Sequence, residues 1–324
     1  MEGIFTISLD FELHWGVFDK KDRDLQKACY VNTIDIIPKL LRLFTKYEIH
    51  VTWATVGSLF AKDANEWAEL KPDTQPSFSN EMYSAYIYAK KNGLADQYSW
   101  AHFAPETIRE ILQFAGQELG THTFAHYYCL EPEQNPKAFE ADLAAVEKAA
   151  SKFNKDLVSL VFPRNQFEPQ FLDICYRKGI KVVRSNPEDW FWKPIPDSRS
   201  GMLRKVLRTG DAYLPLGKRT SYPLQSIRIN PNEPIQLPAS RFLRPWQPKL
   251  QLANTMHVRR VMNEMAVAAK KKECYHLWWH PENFGYYPEQ NLNQLEILLS
   301  HFQKMKTRFG MKSWNMGEYT SMLN

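Results

Sequence analysis

The sequence predicts an α/β protein assembled from parallel βα units, and three observations lead there. Short apolar runs of strand length alternate with segments of helical periodicity over most of the 324 residues. Right-handed crossovers between such units place all strand C-termini on one face, as in a barrel or a doubly wound sheet. Polar side chains able to do chemistry fall where the apolar runs end, which is the face where loops carry function in such folds.

Ile4 to Leu9 reads as a buried strand, and Asn32 to Tyr47 repeats Ile36, Leu40, Leu43 and Phe44 at helical spacing. Ile49 to Val56 is the next strand. Pro105 precedes a helix at Glu106 to Phe114, and Glu118 to Gly120 leads a short strand. The Ala-rich stretch Pro136 to Phe153 is a longer helix, after which Leu157 to Phe162 resumes as strand. Phe171 to Lys178 then gives a helix and Ile180 to Arg184 a strand, while the helix His257 to Lys272 feeds the strand Cys274 to Trp279. Two stretches break this rhythm, one near 64–103 and one near 191–246. Both are longer than a connection requires, so they read as lids or substrate walls inserted into a single catalytic domain spanning 1–324.

Composition narrows the function classes. Hydrophobic residues at 44% and charged residues at 24% describe an ordinary globular chain with a sizeable core. No run is apolar enough to span a bilayer, and the first residues carry no signal-peptide pattern, so a cytoplasmic location is expected. Cys29, Cys129, Cys175 and Cys274 are too scattered for a disulfide scaffold and are expected as free thiols. The net charge of +5 is too mild to point to nucleic acid. Its surplus concentrates in Arg199, Arg204, Lys205, Arg208, Lys218, Arg219 and Arg228, which fit either a solvated face or a phosphate-bearing substrate.

The strongest single feature is His122-Thr123-Phe124-Ala125-His126. On a helical turn, positions four apart share a face, so both imidazoles could reach one divalent ion; taken alone, the pair is equally compatible with packing. At the end of the first strand, Asp10 and Glu12 project to one side across Phe11, where buried carboxylates need a metal or a counter-charge. Taken alone, that dyad is better explained by a structural pair held by an arginine than by a metal, and Arg164, at a strand end after Pro163, is the arginine placed to orient Asp10. Glu188-Asp189-Trp190 follows another strand. His280, after Trp278 and Trp279, terminates the last one.

These motifs, in this order from Asp10 to His280, resemble the polysaccharide deacetylase family, also called the NodB-homology or carbohydrate esterase family 4 group. The best match is Gly116 to His126, which resembles the family's second motif with its approach strand. The resemblance implies a distorted (β/α) barrel with long loop insertions, and a divalent ion, zinc first with cobalt, nickel or manganese as alternatives. It implies His122 and His126 as metal ligands. Asp10 then matches the catalytic base and Glu12 the third ligand, although two adjacent aspartates are the usual pattern and Phe11 separates them here. Arg164 matches the third-motif arginine, Asp189 with Trp190 the end of the fourth motif, and His280 with Leu277 the fifth; His280 is then the expected proton donor to the leaving nitrogen, with Asp189 as its expected partner.

The implied reaction is hydrolysis of a linear, non-peptide amide, removing acetyl or formyl from an amino sugar or sugar-linked precursor for surface polysaccharide. Asn165, Trp190, Trp279, Arg204 and Arg208 are the expected substrate contacts, the tryptophans as a stacking wall and the arginines for a phosphate. Two other readings stay open. One is a cyclic amide or ureide hydrolase of the same fold; the other is a carbohydrate-binding protein that lost its metal through the Phe11 and Glu12 departures.

Overall fold

The computed structural model describes residues 2–187, 189–196, 201–211, 217 and 220–323, with 205 and 209 by backbone alone. Among the described residues, ten strands form one sheet: β1 Ile4–Phe11, β2 Val51–Thr55, β3 Gln117–Thr121, β4 Ser159–Val161, β5 Val182–Ser185, β6 Tyr222–Pro223, β7 Ile235–Pro238, β8 Arg241–Phe242, β9 Glu273–Trp279 and β10 Lys312–Ser313. The helices are α1 Lys27–Lys46, α2 Ala64–Leu70, α3 Ala85–Asn92, α4 Ser99–His102, α5 Pro105–Ile111, α6 Pro136–Ser151, α7 Leu172–Arg177, α8 Met202–Gly210, α9 Gln251–Lys271 and α10 Pro288–Phe309.

The sheet runs β9-β1-β2-β3-β4-β5-β7 through parallel pairs, with β6 antiparallel on the outer edge of β9. Its two flanks are joined by one stretch of chain. β7 pairs with β5, and three residues later β8 pairs with β9, so 235–242 crosses the gap. Ala239 N donates to Ser185 O and Ser240 N to His276 O, both at 2.8 Å, on either side of that crossing. The result is a distorted (β/α) barrel.

Strand alternation divides the interior from the helical layer. Phe5, Ile7, Leu9 and Phe11 face outward into a core shared with α1, α9 and α10, while Ile4 packs inward with Val161, Val182 and Leu237. Inward positions grow more polar toward the strand C-termini, through Thr6 and Ser8 to Asp10 on β1. At the opposite end the C-terminal turn Gly317–Leu323 plugs the barrel. Tyr319 Oη lies 2.9 Å from Thr6 Oγ1, and Gly317 N donates to Glu118 Oε2 at 2.9 Å.

Neither long insertion is a simple wall. Trp67, Leu70, Tyr86, Leu94 and Ala101 of the first join the main core, and the second supplies β6, β7 and β8. Among the described residues, no helix is long and apolar enough to cross a membrane. The four cysteines are free and buried.

Candidate metal centre

The two histidines do not sit on a helix. After β3 the chain turns through Thr123 and His126, both in the left-handed region at φ 63° and 53°. This turn folds because its backbone groups find partners elsewhere: Phe124 N and Ala125 N donate to Asp142 on α6 at 2.6 and 3.2 Å, and Tyr127 N donates to Thr123 Oγ1 at 2.8 Å. The loop brings the two imidazole centroids to 5.3 Å.

Glu12 Oε1 lies 2.9 Å from His122 Nε2 and 3.3 Å from His126 Nε2, and all three side chains are buried. Burial works against ionised Glu12, but the surrounding imidazoles outweigh it and hold the carboxyl well below its usual range. Burial lowers His126 to about 4, with Glu12 pulling the other way. A deprotonated carboxylate and an unprotonated imidazole, with donor atoms of all three residues within 4.8 Å of one another, fit a divalent cation of the kind histidine and carboxylate bind.

Asp10 stands beside this triad, and its partner is Arg184, not Arg164. Arg184 Nη1 and Nη2 grip the two carboxylate oxygens at 2.6 and 2.7 Å. Three further groups fix the guanidinium in turn. Nη1 also donates to Ser8 Oγ at 3.0 Å, Nη2 to Asn165 Oδ1 at 2.9 Å, and the group lies 4.3 Å from the Trp278 ring centroid. Ser8 Oγ meets His276 Nε2 at 2.8 Å, and burial, with the Arg184 charge adding to it, lowers His276 to about 3, so the ring is neutral. Arg164 instead pairs with buried Asp19 at 2.5 Å and covers Tyr128, because Arg164 and Asn165 occupy consecutive left-handed positions that turn the Arg164 side chain away from Asp10.

His280 Nε2 lies 3.9 Å from Asp10 Oδ2 and 3.7 Å from Glu12 Oε1, on the open side of the site. The Asn283 amide nitrogen sits 3.3 Å from His280 Nδ1. Asp189 does not hold His280. It opens the turn Trp190–Trp192 and lines a separate cavity of about 670 Å³ with Lys193 and Arg228.

A cleft of about 350 Å³ opens over the centre; Asp10, Glu12, His126 and His280 line its floor, and Arg164, Asn165, Arg208, Lys20 and Lys21 also border it. The other expected contacts are dispersed. Trp279 is fully buried on the outward face of β9, stacked on Phe284, so it packs the core, and alternation gives the inward places to Trp278 and His280. Trp190 is half-exposed beside Arg204, which donates to Lys193 O and does not reach the cleft. Arg208 reaches it while its Nε donates to Phe191 O at 2.6 Å. Glu188, Arg199, Lys218, Arg219 and the Lys205 side chain lie outside the described residues.

No protein-family profile matches the chain, and no curated protein matches it in sequence. Solved structures do match its shape. A proposed polysaccharide deacetylase from Mycobacterium smegmatis superposes with a TM-score of 0.60 at 11% identity, covering 98% of this chain and 89% of that one. An α-amylase from Thermotoga maritima gives 0.58 at 12%, over 100% and 75%. An allantoinase gives 0.53 at 8%, over 97% and 88%. With the strand order above, these likenesses establish that the chain has the NodB-like fold of the polysaccharide deacetylases.

Proposed function

We propose that the chain is a metal-dependent hydrolase that removes an acetyl or formyl group from the nitrogen of an amino sugar or sugar-linked precursor inside the cell. The observation that carries this reading is the convergence of Glu12, His122 and His126 in one cleft with an arginine-held carboxylate, Asp10, and a partly open imidazole, His280. A bound divalent ion, zinc before cobalt, nickel or manganese, would supply Lewis acidity that acidifies a water and polarises the amide carbonyl.

The chain's own groups do the rest. Asp10, fixed by two hydrogen bonds from Arg184, accepts the proton of the attacking water. His280 lies within 4 Å of Asp10 and carries a proton to the departing nitrogen, which cannot leave as an amide anion. Arg208 and Lys21 on the cleft border would receive a phosphate or another acidic group, and Tyr286 offers a ring face at the same border for a sugar. Hydrolysis of a cyclic amide or ureide is the second reading, favoured by the likeness to an allantoinase.

A screen of metal-reconstituted protein for acetate and formate release from nucleotide-linked amino sugars, beside ring opening of cyclic ureides, separates the two. Metal retained by a His122→Ala/His126→Ala double variant would remove the basis for both. The His280 role has its own test. His280→Ala should slow amide cleavage strongly and slow an activated aryl ester far less, because an ester leaving group of low pKa departs unprotonated. Equal losses would make His280 a positioning group.

A further inference from the structure

We infer that Glu282 is the positioning residue that delivers Glu12 to the two histidines. This rests on the reading that Glu12, His122 and His126 hold a divalent ion. β1 ends at Phe11, so the direction of Glu12 is set by a turn and not by the sheet. The turn is an unusual one: Glu12 has φ −127° and ψ −30°, and Leu13 adopts φ 46°, a left-handed conformation that a side chain branched at Cγ rarely takes.

Such a turn leaves two consecutive N–H groups pointing the same way, away from any strand. Both donate to one acceptor, Glu282 Oε1, with Glu12 N at 2.9 Å and Leu13 N at 2.5 Å. Glu282 stands on the turn Pro281–Phe284 that follows β9, and pairing of Leu9 with Trp279 brings that turn beside the end of β1. Gly16 completes the seat. A Cβ there would lie 1.7 Å from Glu12 Oε2, so the Glu12 carboxylate fills the space that any side chain at 16 would need.

These features explain how an acid displaced one residue beyond the usual adjacent pair still reaches the histidines. Glu282 holds the backbone in the left-handed turn, and Gly16 makes room for the longer side chain. Glu282 touches no proposed ligand atom through its own carboxylate in these contacts; it acts through the backbone of Glu12.

The test is zinc titration of metal-free Glu282→Ala, Glu282→Gln and Gly16→Ala against a chromophoric chelator, with circular dichroism on each to confirm folding. Glu282→Ala should raise the zinc Kd about 10- to 100-fold, the range for outer-shell partners of metal ligands. Glu282→Gln should stay within about threefold, since its amide oxygen still accepts both N–H groups. Gly16→Ala, which displaces the Glu12 carboxylate without touching position 282, should weaken zinc by a similar 10- to 100-fold factor. Wild-type zinc affinity in folded Glu282→Ala overturns the inference, as does an equal loss in the Gln and Ala variants. If Glu282→Ala does not fold, Gly16→Ala with unchanged affinity overturns it. Zinc retained by His122→Ala/His126→Ala is a different result and fells the metal site itself.

Discussion

At the scale of single residues, the pairing of Asp10 with Arg184 decides the most. Both groups are buried, so removing either strands a charge in the interior, at a cost of about 3–5 kcal/mol. Arg184→Met should therefore lower the melting temperature markedly and reduce turnover, whereas Arg164→Met should leave Asp10 in place; comparing the two by calorimetry and amide turnover checks the assignment. On the proposed metal-dependent reading, Asp10→Asn should keep the divalent ion and lose turnover by about 100-fold or more, as expected for a general base. Near-normal activity would rule Asp10 out. Asp10, Glu12, His122, His126 and His280 were legible because each interrupts or ends an apolar run. Arg184 carried the same signal, a charge at an inward place of the strand Ile180 to Arg184, two residues on from Val182. Arg164 drew the role instead because motif order cannot show that two left-handed residues turn it toward Asp19.

At the scale of elements, α6 matters beyond its packing because Asp142 anchors the loop between the histidines. Asp142→Ala leaves two buried N–H groups unpaired, so stability should drop by about 1–3 kcal/mol. Zinc affinity should fall by about tenfold as the imidazoles lose their fixed spacing. Chelator competition on folded protein measures the second effect, and unchanged affinity would show that the loop holds its shape without α6. A helical turn was the expectation for His122 to His126 because spacing alone cannot distinguish a turn of helix from a loop with left-handed residues at Thr123 and His126. The long strands were legible since burial on both faces makes them nearly continuous apolar runs. β6, β7, β8 and β10 are two to four residues each, too short for periodicity to register, and the first three lie in the stretch near 191–246 that reads as a lid or substrate wall. In α10 the apolar positions Leu292, Leu295, Leu299 and Phe302 carry the helical period.

At the scale of the whole molecule, the C-terminal plug and the barrel depend on each other. His50 Nδ1 pairs with Glu318 at 2.8 Å, and this hydrogen bond raises the imidazole pKa against the opposing effect of burial. A raised imidazole pKa contributes stability that is fully present below the ordinary histidine value near 6.5 and is lost as pH rises through the raised one. His50→Gln should therefore lower the melting temperature by about 1–2 °C near pH 6, the small effect of a solvent-screened pair, and the difference should fade toward pH 9. A constant difference across that range would mean that the pair contributes through shape alone. β1 has a further consequence for how the chain is made. Its neighbours are β2, which follows it closely, and β9 and β10, which leave the ribosome long after it. Until then the apolar strand Ile4–Phe11 has one edge open to any passing strand, a hazard that invites aggregation. The two histidines can be in place while Glu282 and His280 are still missing, so a nascent chain offers a metal only part of its seat. Refolding in dilute solution should thus show a slow phase, as closure between sequence-distant strands demands. Zinc affinity should mature with that phase and not with the early gain of helix.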